Sequence, residues 1–467
     1  MSENDSQVEA PIVSTDSIPA TRSSSPRRSR PEQLQVALDL LRWLPIAAIV
    51  GVMAGSASAL LLVSLEWATR VREQHLWIVA LLPVAGFVVG LLYWWLGSSV
   101  EAGNNLILEE VHDPNEIIPI RMTPLILLGT IVTHLFGGSA GREGTAIQTG
   151  ASLADQLSRP LRMGPADRRI LLMMGISAGF ASVFGTPLAG AIFGIEVLAI
   201  GALSYEAIAP CIVAAFLGEM VTRAWGVHHT IYTVTEVPTM SVRGLLAAMA
   251  AGICFGLMAM FFARTTHAIK DLGKRYIAFA PMRPFVGGVI VAGLVFAIGT
   301  AHTARFLGLG VSEIVAAFHQ PLPPYDFAVK SLLTSITLGM GFKGGEVTPL
   351  FFIGATMGNA LSHLLPLPAT LLAGMGFVAV FAGAANTPVA STLMAVELFG
   401  AEAGAFAGIA CVVSYLFSGH CGIYTSQRLG RAKHRLDDPA ERSSLALEAK
   451  KIEDEKAATG CRPAGPK

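Results

Sequence analysis

The sequence predicts an all-α polytopic membrane protein built from two repeated halves of broken and tilted helices. Of its 467 residues, 52% are hydrophobic and only 14% are charged, and the mean hydropathy is +0.57. Soluble domains carry roughly 25% charged residues, so this composition excludes a large cytosolic protein. The net charge of zero gives no electrostatic reason to expect a nucleic-acid partner.

The charged residues concentrate at the two ends of the chain. Residues 1–37 are rich in Ser, Pro and Arg and are predicted to be a disordered basic tail. No apolar h-region follows the start, so no signal peptide is predicted. Basic residues also crowd the segment 431–467. Because such residues favour the cytoplasmic side, we expect both tails there, with an even number of crossings in the transmembrane domain 38–430.

Apolar segments of unequal length predict helices that do not all span a bilayer. A spanning helix needs about 20 apolar residues. The clear candidates are 41–65, 75–97, 243–263, 284–300 and 369–385. The apolar runs between them are shorter and bounded by Gly or Pro. Broken helices at membrane depth survive only inside protein or around a cavity, and they typically build ion sites near the midplane.

An internal repeat divides the transmembrane domain. The first half contains "GREGT" and, further on, "TPLAGAIFGIE"; the second contains "GGEVT" and then "TPVASTLMAVE". Glu143 and Glu346 are 203 residues apart, and Glu196 and Glu397 are 201 apart. The two motifs recur in the same order and at nearly the same sequence separation. This predicts two homologous halves, about 40–225 and 241–430.

The first candidate site is the segment "SAGREGTAIQTG", which places Glu143 in a Gly-rich turn before a helix that is expected to begin near Thr145. A helix N-terminus exposes free N–H groups and a positive dipole end, so it binds anions. The Glu143 carboxylate can occupy that site when ionised and leave it when protonated. Alternatively, Glu143 caps the helix and pairs with Arg142.

The second half repeats this design in "FKGGEVTPLFF". Val347 and Thr348 are expected at a helix start, where the Thr348 hydroxyl and nearby N–H groups can donate to an anion. The alternative is a simple Thr N-cap. Glu346 is either a titrating buried carboxyl or the partner of Lys343.

Two further segments carry donors. In "EAGNNLILEEVHD", Asn104 and Asn105 precede a short helix, and each amide offers two donors to a strongly hydrated anion; the alternative is an Asn N-cap. Tyr424 follows a Gly-rich break after the last apolar segment. Its phenol can donate into a pore or anchor the chain at the membrane interface.

Other chemistries find little support. "GGSAG" and "GISAG" match G-x-S-x-G around Ser139 and Ser177, but they lie in small-residue membrane segments and not between a strand and a helix. An intramembrane serine protease using either serine is the rival from another class. The five cysteines show no metal spacing. We therefore expect no enzyme, no cofactor and no metal site.

These elements, in this order, resemble the CLC family of chloride channels and anion/proton antiporters over residues 38–430. GREGT resembles the family's GREGP signature, GGEVTP its GGxFxP signature, and Tyr424 its central tyrosine. The resemblance implies the CLC-type fold, with two inverted halves in each subunit. It also implies a homodimer with one pathway in each subunit.

Departures from the family pattern point to the fluoride/proton antiporters within it. The family's GSGIP is replaced by "GNNLI" at 103–107, and Val197 stands where most exchangers carry a second, intracellular glutamate. In this group Glu143 is implied to be the gating and proton-transferring glutamate. The implied anion-binding residues are Asn104, Asn105, Gly144, Thr145, Val347, Thr348 and Tyr424, with Arg142 and Glu346 as further candidates.

The resemblance thus implies a transporter of the inner membrane that exports fluoride in exchange for protons. Its implied partners are fluoride, or chloride in the alternative, together with protons and the lipid bilayer. The alternatives of the same fold are a chloride/proton antiporter and a passive chloride channel.

Overall fold

Helices dominate the computed structural model, which describes residues 32–431 and 433. The chain divides into two compact units, Met1–Arg42 and Trp43–Lys467. Helix α1 begins at Glu32, so residues 32–37 are helical and the prediction of disorder is wrong for them. The good helix formers of "EQLQVAL" follow Pro31 directly, which explains the earlier start. The rest of the predicted N-terminal tail lies outside the described residues, as does nearly all of 431–467.

The helices of the two halves follow one another in the same order. The first half comprises α1 Glu32–Gln74, α2 Leu82–Leu96, α3 Asn104–His112, α4 Met122–Leu135, α5 Glu143–Asp155, α6 Pro165–Phe184, α7 Pro187–Glu196 and α8 Ile208–Ala224. The second comprises α9 Val242–Tyr276, α10 Met282–Ile298, a short α11 Thr300–Thr303, α12 Val311–His319, α13 Asp326–Gly339, α14 Val347–Leu361, α15 Ala369–Ala385, α16 Pro388–Phe399 and α17 Ala401–Phe417. The repeat predicted from the sequence thus extends over the whole transmembrane domain.

The only strands in the described residues are two short ones. Strand β1, Ala199–Ile200, pairs in parallel with β2, Arg428–Leu429. This pairing attaches the segment after the last helix to the connection between α7 and α8 in the first half.

Few of the helices are long enough to cross a bilayer alone. Four stretches within the described residues qualify by length and composition, namely Ala37–Gln74, Leu76–Leu96, Tyr205–Ala224 and Val242–Tyr276. A fifth candidate, Met282–Ile298 with Thr300–Phe306, is bent by 113°. The predicted span 369–385 is α15, which has 17 residues and is buried along most of its length. Short helices are tolerated because the surrounding helices cover them.

Glycines allow the short helices to pack closely in both halves. A Cβ at Gly150 of α5 would overlap the backbone of Gly175 in α6, and a Cβ at Gly354 of α14 would overlap that of Gly376 in α15. Close approach of this kind is how helices gain packing contacts without a hydrophobic driving force. Equivalent helix pairs of the two halves therefore use equivalent glycines.

Two glutamates show that α7 and α16 run in opposite directions. Glu196, the last residue of α7, accepts hydrogen bonds from the first free N–H groups of α16, at Val389 (2.9 Å) and Ala390 (2.7 Å). Glu397, in the last turn of α16, accepts from the N–H groups at the start of α7 at 2.9 and 2.8 Å. Each helix end caps the start of the other, which requires antiparallel neighbours. The two halves are therefore related by inversion, as the resemblance implied.

Candidate anion site

Three helix N-termini from both halves meet around one point. Gly141 and Gly345 exchange backbone hydrogen bonds of 2.6 and 2.8 Å, which hold the starts of α5 and α14 together. Asn104, the first residue of α3, approaches as well, since its Nδ2 lies 3.0 Å from the position of a Cβ on Gly144. Free N–H groups and positive dipole ends thus converge, which favours an anion.

Glu143 fills this point with its own carboxylate. It is the first residue of α5, two residues earlier than predicted, and its side chain is fully buried. Its Oε2 accepts from the Thr348 N–H at 2.9 Å and from the Arg142 N–H at 3.1 Å. The Thr348 hydroxyl donates to Oε1. The Glu143 carboxyl group therefore occupies the N-terminus of α14 in the manner of a bound anion.

The alternative of a local cap paired with Arg142 accounts for only part of this geometry. Arg142 Nε lies 3.5 Å from Glu143 Oε1, so the ion pair exists. However, both Thr348 donors come from the other half of the chain, 205 residues away. Thr348 likewise makes no side-chain cap of its own helix, because its hydroxyl binds Glu143.

A small cavity lies between residues of α3, α5, α6 and α7 and the segment that carries Tyr424. It has a volume of about 10 Å³, room for roughly one water molecule. Asn104 and Tyr424 are among its lining residues, and the other lining side chains are apolar: Ile107, Leu108, Ile147, Ile176, Phe193 and Val197. The Asn104 Oδ1 and the Tyr424 hydroxyl are buried and have no hydrogen-bond partner within the described part of the chain. The Tyr424 hydroxyl can therefore donate to a small ion in the cavity. The unpartnered Asn104 atom is an acceptor, and the donor of that amide is its Nδ2.

Glu346 provides a second carboxyl beside the first. Its Oε2 is buried without a hydrogen-bond partner among residues 32–431 and 433, and it lies 3.4 Å from the position of a Cβ on Gly144. Lys343 does not pair with it, because the Lys343 ammonium lies over the Tyr93 ring, 3.9 Å from the centroid. The two halves thus each direct a glutamate toward the helix start of the other.

Three other predicted residues lie at the site but have different contacts. The Thr145 hydroxyl bonds to that of Thr130 at 2.6 Å. Asn105 Oδ1 accepts from the Ser426 N–H at 3.1 Å and so joins α3 to the segment that carries Tyr424. Val347 is fully buried and packs in the core. Neither asparagine acts as an N-cap, since Gly103 holds that position and no side chain caps α3.

The serines of the two G-x-S-x-G matches are committed to packing contacts. Ser139 Oγ donates to the Phe306 carbonyl at 3.0 Å and bonds to Thr334 Oγ1 at 2.9 Å. Ser177 Oγ donates to the Ala191 carbonyl at 3.3 Å. Neither hydroxyl bonds to a histidine in the described residues, so no serine–histidine pair forms.

Apart from Val197, the sequence did not single out the apolar side chains that line the cavity. Ile107 and Ile147 could have been found, because they lie three and four residues after Asn104 and Glu143 on the same helix faces. Phe193 carried no comparable signal. It reaches the cavity from α7 and stacks on Phe180 with ring centroids 4.3 Å apart.

Comparison with known proteins places this geometry in a family. The family model described as voltage gated chloride channel matches residues 94–419. A chloride/fluoride channel protein of Pseudomonas syringae pv. tomato is 55% identical over 415 residues, which cover 88% of this chain and 92% of that protein.

Solved structures agree with this match. A crystal structure of a CLC-type fluoride/proton antiporter superposes with a TM-score of 0.81 at 33% identity, covering 84% of this chain and 99% of that one. A slow cyanobacterial chloride/proton antiporter has the same fold, with a TM-score of 0.71 at 22% identity over 82% of this chain and 96% of that one. On the family match, the 55% identity and the shared inverted-repeat fold, the chain belongs to the CLC family, a group of membrane anion transporters and channels.

Proposed function

We propose that this protein is a fluoride/proton antiporter that exports fluoride from the cytoplasm in exchange for protons. One observation carries the proposal: the Glu143 carboxyl group occupies the start of α14, where it accepts from the Thr348 N–H and hydroxyl. The 55% identical relative is named a chloride/fluoride channel protein, and the similar crystal structure is of a CLC-type fluoride/proton antiporter, so fluoride occurs in both names.

Competition for one position explains how anion and proton movement are coupled. Ionised Glu143 receives the Thr348 hydroxyl and N–H, donors that bind an anion much more strongly than a neutral acid. Protonation weakens these bonds and removes the attraction to the helix dipole, so the side chain leaves. The anion takes its place while the side chain carries the proton.

The site chemistry favours fluoride over chloride. Fluoride is the smaller ion and holds its water tightly, so a site must replace that water with strong donors in a small space. Thr348 provides two donors at the start of α14, and Asn104 and Tyr424, whose amide and hydroxyl can also donate, line a cavity of about 10 Å³. Return of the Glu143 carboxylate then expels the tightly bound ion, which satisfies the need for release.

Glu346 supplies a candidate proton site in a chain that has Val197 in place of an intracellular glutamate. Its unpartnered oxygen at Gly144 lies close to the Glu143 helix start. We expect Gly144 and Val347 to line the anion path through their backbone. The protein is expected to work as a homodimer in the inner membrane with both termini cytoplasmic, and not as an enzyme.

Vesicles that contain the purified protein test the function. Efflux of fluoride and of chloride from one vesicle batch is compared, and the proton flux is recorded at the same time. We expect fluoride efflux to exceed chloride efflux and to drive proton uptake. Faster chloride efflux would favour a chloride/proton antiporter, whereas anion flux that ignores pH would favour a passive channel.

Glu143→Gln should abolish proton-coupled movement, because an amide cannot carry the proton. Glu236→Gln is the matched control, since Glu236 is exposed in the loop before α9. Normal proton-coupled transport in Glu143→Gln would refute the mechanism.

A further inference from the structure

Tyr424 lies on a segment that has no helix to hold it. The last helix, α17, ends at Phe417, and the chain continues in turns until β2 begins at Arg428. The Ile423 N–H donates to the Ala384 carbonyl at 2.9 Å, and the Tyr424 carbonyl accepts only from the Gln427 N–H of the same segment, at 3.5 Å, among the described residues. The position of the Tyr424 hydroxyl in the cavity therefore depends on contacts made by neighbouring side chains.

Gln427 attaches this segment to both halves of the protein. Its Nε2 donates to the carbonyl of Val197, at the end of α7, at 2.9 Å. The same nitrogen donates to the carbonyl of Ala385, at the end of α15, at 2.8 Å. Val197 also lines the cavity, so Gln427 links the Tyr424 segment directly to the cavity wall.

Asn386 joins Gln427 to a lysine further along the chain. It ends α15 in the left-handed conformation, with φ of 59°. Its Nδ2 donates to Gln427 Oε1 at 2.9 Å, and its Oδ1 accepts from the Lys433 ammonium at 2.6 Å. The Asn386 amide therefore connects Gln427, through its nitrogen, to Lys433, through its oxygen.

The Lys433 ammonium is held by oxygens at the end of α17. Besides Asn386, it donates to the Tyr415 carbonyl at 2.8 Å, to Ser418 Oγ at 3.0 Å and to the Gly419 carbonyl. No carboxylate in the described part of the chain forms an ion pair with it. The negative end of a helix dipole stabilises a cation at this place. The contact closes residues 418–433 into a loop with Tyr424 inside it.

We propose that Asn386, Gln427 and Lys433, which we call the C-terminal clasp, are positioning residues that hold the Tyr424 hydroxyl at the anion cavity and so set the affinity for fluoride. The proposal rests on the proposed function, in which Tyr424 contacts the anion. Loss of a clasp contact lets the segment move, and the hydroxyl then spends less time at hydrogen-bonding distance from the ion.

A double-mutant cycle in vesicles tests the clasp, with fluoride KM and Vmax as readouts. Lys433→Met removes the ammonium while keeping an unbranched side chain. Asn386→Gly removes both amide contacts and suits the left-handed backbone. Each is made alone and with Tyr424→Phe. Arg428→Gln is the control, because Arg428 lies in the same segment but pairs with exposed Asp113.

We expect each clasp variant to raise the fluoride KM by up to about tenfold, the equivalent of one net hydrogen bond. In the Tyr424→Phe background the same variants should change KM by less than about twofold, and Arg428→Gln should have no effect. A merely structural role would not depend on the Tyr424 hydroxyl. Thermal unfolding of each variant checks that it is folded. If Lys433→Met does not fold, the KM of Asn386→Gly decides the test.

Equal KM changes with and without the Tyr424 hydroxyl would overturn the clasp proposal, and so would an unchanged KM in both clasp variants. Neither result touches the proposed function, provided that Tyr424→Phe alone raises KM. If Tyr424→Phe alone leaves the fluoride KM unchanged, the proposed anion contact itself is wrong, and the clasp proposal falls with it.

Discussion

Replacing Tyr424 by Phe should separate function from stability. The Tyr424 side chain is 4% exposed, and its hydroxyl has no hydrogen-bond partner within the described residues. In the folded protein the hydroxyl therefore contributes no internal hydrogen bond that the substitution could remove. Phe keeps the ring, so the packing around the cavity is preserved.

The size of both effects follows from this geometry. A buried polar group without a partner costs about 1–3 kcal/mol, so its removal should leave the stability unchanged or raise it. A hydrogen bond to a charged group is worth about 1.5–3 kcal/mol. If the hydroxyl donates to fluoride, its loss should weaken fluoride binding about 10- to 150-fold, since about 1.4 kcal/mol corresponds to tenfold.

Fluoride efflux from vesicles gives the KM, and thermal unfolding in detergent gives the stability. Tyr232→Phe is a matched control, because Tyr232 packs against Phe318 and Phe377 and does not line the cavity. We expect Tyr424→Phe alone to raise the KM. A lower unfolding temperature with an unchanged fluoride KM would refute the reasoning, since it would show that the hydroxyl serves the fold and not the ion.

Three other substitutions test separate parts of the structure. Asn104→Leu removes the amide of a residue that lines the cavity. The ratio of fluoride to chloride transport should fall by about tenfold or more, which corresponds to the loss of one charge-assisted hydrogen bond. An unchanged ratio would show that Asn104 does not contribute to selectivity. Glu196→Gln loses one of two charge-assisted bonds at the start of α16 and should destabilise the protein by about 1.5–3 kcal/mol in thermal unfolding; an unchanged unfolding temperature would contradict the reciprocal caps. Gly345→Ala places a Cβ 2.6 Å from the Gly144 nitrogen and should abolish transport. Gly293→Ala, whose Cβ would have no atom within 4 Å, should be tolerated. Equal transport activity of the two variants would contradict the close contact of α5 and α14.

The repeat in the sequence was enough to predict two homologous halves, because it recurs in the packing. "TPLAGAIFGIE" and "TPVASTLMAVE" each end in a glutamate that caps the other helix. The direction of the two halves could not be read from the sequence alone, since both parallel and inverted repeats give the same spacing. The resemblance to the CLC family supplied it.

The candidate site was predictable where a signature places a charge at a helix start. Glu143 and Thr348 were expected at an anion site, and the structure joins them directly. The contacts of Asn105 and Thr145 could not be predicted, because each depends on a residue from another element, Ser426 and Thr130 respectively.

The clasp lay beyond sequence reasoning for a similar reason. Gln427 and Lys433 are ordinary polar residues in a charged segment, and only the fold brings them to Asn386. Predicting such a contact requires knowing where the ends of α15 and α17 lie.

Uphill fluoride movement tests the central claim most directly. Vesicles with equal fluoride on both sides and a clamped membrane potential receive a pH gradient, and internal fluoride is followed with time. Because an antiporter moves fluoride against the proton flow, fluoride should accumulate on the acidic side with the unmodified protein and not with Glu143→Gln. Leakage of hydrogen fluoride through lipid would accumulate fluoride on the alkaline side, as protein-free vesicles will show. Accumulation on the acidic side that persists in Glu143→Gln, or its absence with the unmodified protein, would contradict the account.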